Sequence, residues 1–240
     1  LLGRRSARHG DGLFVVEGPT LAAELVAARW KCLAQYVPEG ADGVPGAGPV
    51  NELAAGVFER VASTESPQPP LVLVRLPPAE PGVLDTAGLV VVADRLNDPG
   101  NLGTILRSAE AAGADAVVLT PGSVDPYNPK AVRASAGALF HVPVLTVPLD
   151  ELSSRGLRLV GTSSHDAAGR TVTAHTEVDL TGRVALILGN EAAGLPAEWD
   201  DSAGPIDEWV TIRQQGRSES LNVAMAATVL AFEAARQRNG

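Results

Sequence analysis

Residues 210–233 read VTIRQQGRSESLNVAMAATVLAFE, and three kinds of local structure follow one another in this run. Val210-Thr211-Ile212 is β-branched and apolar, as a short buried strand requires. Residues 213–219 are polar with a glycine among them and read as a loop. Ser220-Leu221-Asn222 then opens a long Ala-rich helix, and Leu221, Ala224, Met225, Thr228 and Phe232 recur at helical spacing. That spacing predicts a stripe facing a core. A loop that ends at a helix N-terminus presents unpaired backbone amides, a natural pocket for a polar ligand. An ordinary capped helix, with Ser218 or Ser220 accepting from the first amides, explains the same residues equally well.

The surrounding sequence sets the fold around this run. From Gly88 onward, strand patterns at 89–93, 116–119, 142–147, 157–161, 184–188 and 210–212 alternate with helical patterns at 101–112, 129–138, 150–155 and 220–238. Residues 89–93 and 184–188 are continuously apolar, as in a parallel sheet covered on both faces. The alternation predicts an α/β domain with a mostly parallel sheet. Ligands in such sheets lie at the carboxyl ends of the strands, so the loops after Ala93, Leu188 and Ile212 carry the functional information. The breaker PPAEPG at 77–82 divides the chain into units 1–80 and 81–240. The first unit reads as a small α/β domain, with strands at 13–16, 31–37 and 71–76 and helices at 21–28 and 51–60, the latter capped by Asn51. The strand at 71–76 fits either side of the junction.

Composition narrows the functional classes. With 45% hydrophobic and 20% charged residues the chain is of ordinary globular type. No apolar run is long enough to span a membrane, and no long apolar stretch follows Arg4-Arg5 as a secretory leader would need. Cys32 is the single cysteine, which excludes an internal disulfide and a Cys-based zinc cluster and fits a reducing cytoplasm. A formal net charge of −9 argues against a protein that coats nucleic acid by bulk electrostatics. A local basic patch is still compatible with RNA contact, and Arg4, Arg5, Arg8 and His9 form one, which reads equally as a solvated tail.

Three loops remain. The first, DRLNDPGNLGTILR at 94–107, contains the turn signature Asp98-Pro99-Gly100-Asn101. Asn101 is a candidate helix cap, Gly103 leaves room for a neighbouring backbone, and Arg107 lies one turn after it on nearly the same face. A cation in the first two turns opposes the helix dipole, so Arg107 is better suited to gripping an anion than to stabilising the helix; pairing with Glu110 or Asp94 is the plain alternative. Gly100 and Gly103 do not complete a dinucleotide fingerprint. The second loop, LILGNEAAGLP at 186–196, ends a buried strand at Gly189, where the missing side chain lets a ligand lie against the backbone. Glu191 is a candidate partner for a ribose hydroxyl or a cation, or a cap within a plain loop. The third is the opening run, with amides around Ile212 and Leu221 and polar groups on Ser220 and Asn222.

NDPGNLGTILRSAEAAG, LILGNEAAGL and SLNVAMAATVLAFE together closely resemble, in order and spacing, the three motifs of the SpoU-type RNA 2′-O-ribose methyltransferases of the SPOUT superfamily. GLFVVEGPTLAAELV at 12–26 looks like the L30e-like substrate-binding domain that many members carry. The resemblance implies an α/β fold in which a trefoil-knotted methyltransferase domain (81–240) follows an L30e-like RNA-binding domain (1–80). It implies S-adenosylmethionine as cofactor, held by Gly189, Ile212 and Leu221 with Thr162, Asn190 and Ser220 nearby. It assigns catalysis to Arg107 and Asn101, supported by Glu191, Ser220 and Asn222, with no metal. RNA contact is expected from Arg4, Arg5, Arg8 and Arg107, and a homodimer through the C-terminal domain. Many members have Pro-Met after the last strand's Ile, where this chain has Arg213-Gln214. Ribosomal RNA, 23S above all, is favoured over tRNA as substrate. A member that lost catalysis and acts as an RNA-binding or assembly factor is the competing reading.

Overall fold

Leu89–Ala93 (β5) and Val184–Leu188 (β10) are each buried at all five positions. A strand so placed needs cover on both faces, and the two pair in parallel at the centre of a seven-stranded sheet. This computed structural model describes residues 2–163, 171–199, 204–217 and 220–240. The other strands of the sheet are Ala116–Leu119 (β6), Val144–Thr146 (β7), Arg158–Thr162 (β8), Val172–Ala174 (β9) and Glu208–Thr211 (β11). Their order is β7-β6-β5-β10-β8-β11-β9, and every pairing in it is parallel. The chain builds β5, β6 and β7 outward on one side and crosses back to β8. Only later does it insert β10 between β5 and β8. The carboxyl ends of β8, β10 and β11 therefore open together, at the kind of strand-order reversal where α/β sheets bind ligands.

Among the described residues this part carries the α-helices Pro99–Ala111 (α4), Pro129–Ala134 (α5), Leu149–Ser154 (α6) and Val223–Asn239 (α7). The α7 core face differs from the expected stripe. Ala224, Ala227, Leu230, Ala231 and Ala234 are buried, whereas Met225 is 61% and Phe232 48% exposed. The small residues win because α7 lies against α4, where alanines permit close approach and Thr228 reaches Ser108 by a 2.6 Å hydroxyl contact. Gly103 serves the same kind of packing from α4: a Cβ there would stand 2.7 Å from the Ser135 amide nitrogen. The expected helix at 129–138 stops at Ala134, since Ala136 and Gly137 take left-handed backbones (φ 49° and 98°) before a short 3-10 turn.

A second sheet of four strands contains Leu13–Glu17 (β1), Cys32–Pro38 (β2), Val50–Leu53 (β3) and Leu71–Arg75 (β4), in the order β1-β4-β2-β3. Strand β4 therefore belongs with the first unit. The helix expected at 51–60 is instead strand β3 followed by a five-residue helix, Val57–Val61 (α3). Hydrogen bonding along β2 captured Val50–Leu53, a stretch too short for its helix propensity to resist. Arg5–Asp11 (α1) and Pro19–Ala27 (α2) complete the unit.

The two sheets share one hydrophobic cluster, in which Phe14, Val16, Leu25, Val72 and Val74 pack with Val91, Ala93, Leu102, Ala131 and Phe140. Phe14 stacks against Tyr127 at 5.0 Å, and the Trp30 indole N–H donates to the Phe140 carbonyl. Arg8 is not in a solvated basic tail: it lies on α1, 3% exposed, and its guanidinium pairs with Asp125, also 3% exposed. Deleting one partner of such a buried pair strands the other charge, at a cost of about 3–5 kcal/mol. The two sheets are thereby fixed to one another despite the proline-rich connection.

Candidate active site

The loop after β10 is a tight hairpin. Asn190 and Gly194 exchange backbone hydrogen bonds, and Asn190 Oδ1 accepts from the amides of Ala192 and Ala193. Gly189 is needed by the chain itself and not only by a ligand: a Cβ there would stand 2.7 Å from the Gly194 carbonyl oxygen. Asn190 also donates from Nδ2 to the Arg95 carbonyl at 2.8 Å, tying this hairpin to the loop after β5.

In that loop Asp98, not Asn101, caps α4. Its Oδ1 accepts from the Asn101 amide at 2.8 Å, and Pro99 occupies the first helical position. Asp-Pro at a helix start is a readable signature, since proline lacks the amide that a cap would have to satisfy. The Asn101 side chain is thereby released for other work. Similarly, α7 is capped by Asn222, whose Oδ1 accepts from Ala224 and Met225, and not by Ser220; Ser218 lies outside the described residues.

These two asparagines and Glu191 form a directional chain. The Asn222 carbonyl oxygen is committed to helix amides, so its NH2 points outward and donates to Asn101 Oδ1 at 3.0 Å. Asn101 must then turn its own NH2 away, and it donates to Glu191 Oε1 at 3.1 Å. Glu191 also accepts from the amides of Asn97 (3.3 Å) and Asp98 (3.1 Å). Burial by itself would raise the Glu191 pKa. The donors outweigh it: the residue's own amide, the Asn101 side chain and the amides of Asp98 and Asn97 hold the carboxyl below the usual range. Three loops far apart in sequence thus meet on an ionised carboxylate that is an acceptor and a poor base.

Beside this chain lies a cavity of about 640 Å³. Thr162, Gly189, Asn190, Ile212, Ser220 and Leu221 all line it, joined by Glu191 and Asn222 at the rim. Leu188, Val210, Val223 and Leu230 supply aliphatic walls. The Ile212 carbonyl accepts from Gln214 Nε2 at 2.9 Å, so the residue after the last strand closes one edge. Among the described residues Glu191 is the one carboxylate or cation lining the cavity. A slot of aliphatic side chains and exposed backbone, with one negative charge at its mouth, suits a flat heteroaromatic base on a ligand that carries positive charge.

Arg107 stands elsewhere. It is exposed on α4 and, among the described residues, makes no hydrogen bond or ion pair; neither Glu110 nor Asp94 engages it. It lines a second cleft, of about 660 Å³, with Ser108, Gly137, His141 and Phe232. Arg4 and Arg5 are exposed, and Arg5 donates to the Ser123 carbonyl at 3.1 Å. Sequence reasoning passed over Arg95, whose left-handed backbone (φ 48°) turns the first loop toward Glu191.

Comparison with known proteins identifies the family. The profile of the SpoU rRNA Methylase family matches residues 88–232. Over 184 residues the chain is 38% identical to the 23S rRNA (guanosine(2553)-2'-O)-methyltransferase RlmP of Bacillus subtilis, covering 75% of this chain and 70% of that protein. It is 38% identical over 160 residues to a 23S rRNA (uridine(2479)-2'-O)-methyltransferase of Streptomyces viridochromogenes, covering 62% of this chain but only 53% of the relative. Among solved structures, the SpoU methyltransferase AviRb from the same organism, in complex with AdoMet, superposes with a TM-score of 0.87 at 30% identity, covering 100% of this chain and 95% of that one. The match spans the central strand pair, all three rim loops and most of the helix that closes the cavity, and the chain therefore belongs to the SpoU rRNA methylase family.

Proposed function

We propose that the protein is an S-adenosylmethionine-dependent RNA 2′-O-ribose methyltransferase acting on 23S ribosomal RNA in the cytoplasm. The observation that carries the reading is convergence. The six residues expected to hold the cofactor come from three separated stretches and line one cavity, with the Glu191–Asn101–Asn222 chain at its rim. The AdoMet-bound relative of the same fold supports the choice of cofactor.

When bound, the cofactor would supply an electrophilic methyl group to the ribose 2′-oxygen, whose proton would pass to an RNA phosphate or to water. The protein's part is alignment of the reacting atoms and control of charge. Gly189, Ile212 and Leu221 would hold the cofactor through backbone groups, and Thr162, Asn190 and Ser220 would offer polar groups beside it. Asn101 and Asn222 hold the rim loops in register through Glu191. A guanidinium is a cation at any working pH, so Arg107 is suited to stabilise negative charge on the 2′-oxygen or to hold a phosphate, not to remove a proton.

The same reading assigns residues 1–80 to an L30e-like RNA-binding domain and 81–240 to a trefoil-knotted methyltransferase domain. The separate four-stranded sheet and the late insertion of β10 support that division. Met225 and Phe232, exposed on α7, support a homodimer through this helix. Arg4 and Arg5 extend the RNA surface with Arg107, whereas Arg8 serves the junction between the two sheets.

Incubation with labelled S-adenosylmethionine and separate ribosomal and transfer RNA fractions, followed by nucleoside analysis, tests the proposal. Label in 2′-O-methylnucleosides of the ribosomal fraction is expected. Label in the transfer fraction alone would move the substrate to tRNA. Cofactor and RNA binding without transfer to naked RNA or to ribosomal particles would favour an assembly factor.

A further inference from the structure

Arg95 is a strained residue with an unspent side chain. Its backbone sits at φ 48°, a conformation that disfavours residues with a Cβ and is normally left to glycine or asparagine. The strain is held from both sides: the Arg95 amide donates to Thr120 Oγ1 at 2.9 Å, and its carbonyl accepts from Asn190 Nδ2 at 2.8 Å. The turn so produced brings the Asn97 and Asp98 amides onto Glu191. The backbone requirement explains the left-handed turn. It does not explain an arginine there, because a glycine would make the same turn without strain.

The side chain offers the explanation. Nε donates to Asp94 Oδ2 at 2.9 Å, and Asp94, 4% exposed, is itself anchored by the Thr120 hydroxyl through Oδ1 at 2.7 Å. Among the described residues Nη1 and Nη2 have no partner, and the side chain is 49% exposed. Lys130, which pairs with Asp98 in the same loop, is committed instead. A guanidinium tethered at Nε has already lost part of its rotamer freedom, and its two outer nitrogens keep the fork geometry that matches two oxygens of one phosphate.

We infer that Arg95 is a substrate-positioning residue that grips a backbone phosphate of the RNA beside the Glu191 rim. The inference rests on the RNA methyltransferase reading above. It also accounts for RNA binding by a chain of net charge −9 through a few placed cations.

Arg95→Asn tests it, because asparagine tolerates the left-handed backbone and the fold is kept. The probes are bulk ribosomal RNA for turnover and a labelled single-stranded RNA oligonucleotide for binding. We expect KM for RNA to rise about tenfold with kcat and cofactor affinity unchanged. The slope of log affinity against log salt should fall by about 0.7–1, one phosphate contact. Arg95→Lys should restore the slope but only part of the affinity, since an ammonium cannot make the fork. If wild type methylates RNA and Arg95→Asn keeps its KM and salt slope, the inference is overturned and the methyltransferase reading stands. A change confined to cofactor affinity or melting temperature would also overturn it, reducing Arg95 to a loop anchor. Wild type that neither binds RNA nor transfers a methyl group overturns both.

Discussion

Asn101 and Arg107 sit six residues apart on one helix, yet they stand in opposite physical situations. Asn101 is bonded to Glu191 and Asn222, two residues that line the 640 Å³ cavity, with its oxygen and its NH2 both engaged, so its orientation is fixed with no ligand needed. Arg107 faces the second cleft and touches no partner among the described residues. The difference separates two tasks. The proposed cofactor side is built in advance by the fold, whereas the second cleft keeps a cation with no partner among the described residues and an exposed Phe232. Preorganisation costs stability only where groups go unsatisfied, and at the rim none of the three linked side chains is left without partners.

Arg107→Ala is the sharpest way to test this division. Nothing among the described residues leans on the side chain, so stability should change by no more than about 0.5 kcal/mol, and cofactor affinity should be unchanged. Methyl transfer should fall roughly 10²–10³-fold, the typical loss when one charge-stabilising group is removed. Single-turnover kinetics together with cofactor titration reads both. A large loss of cofactor affinity would break the comparison by placing Arg107 in the first cavity's machinery.

Gly189→Ala attacks the other side. The added Cβ meets backbone atoms of Gly194 and not the end of a flexible side chain, so the hairpin must shift. We expect destabilisation of about 1–3 kcal/mol, the usual range for overpacking, with cofactor binding lost alongside it. Thermal melts with and without S-adenosylmethionine check this: the ligand-induced rise in Tm should vanish in the variant. Retention of that rise would mean the hairpin is looser than its hydrogen bonds imply.

Asn222→Ala should cost about 1 kcal/mol for the lost α7 cap, and Asn101→Ala a similar amount. The two share a hydrogen bond, so the double variant should cost less than the sum, with a coupling of about 0.5 kcal/mol or more. Additive costs in urea melts would show that the chain of amides contributes nothing as a unit.

How legible all this was depended on the range of the forces involved. The strands β5, β6 and β10 announce themselves because a parallel strand buried on both faces must be apolar at every position. The cavity residues were readable by motif, and the fold gathers them. The α7 face was misread because hydropathy ranks Met225 and Phe232 above alanine, while close packing on α4 selects the small residues. The helix expected at 51–60 failed because pairing with β2 lies outside any local window. Sequence places Arg8 in a basic patch for RNA or in a solvated tail, because its partner, Asp125, is 117 positions away. Arg95 gave no signal at all: a positive φ at a residue other than glycine is set by the bonds that hold it, from Thr120 and Asn190.

The smallest expected effect is also the most diagnostic of how the rim works. The Glu191 pKa is depressed in the folded protein, because four donors outweigh the burial that would raise it. A depressed carboxyl contributes stability that is fully present above its unfolded value, about 4.3, and that is lost as pH falls through the folded value. Cofactor affinity should therefore show no Glu191 titration between about pH 5.5 and 8 and should weaken only below about pH 4. Glu191→Gln imposes the low-pH condition at neutrality: one of its two oxygens becomes an NH2, which faces donors where an acceptor is needed. That variant should bind cofactor more weakly at pH 7 and show no further loss from this site on acidification. Were wild type instead to lose affinity between pH 5 and 7 while Glu191→Gln did not, the carboxyl would be titrating near neutrality. Glu191 would then be a candidate proton acceptor and not a fixed acceptor for three loops, and the distinction between a finished rim and a waiting Arg107 would fail at its central residue.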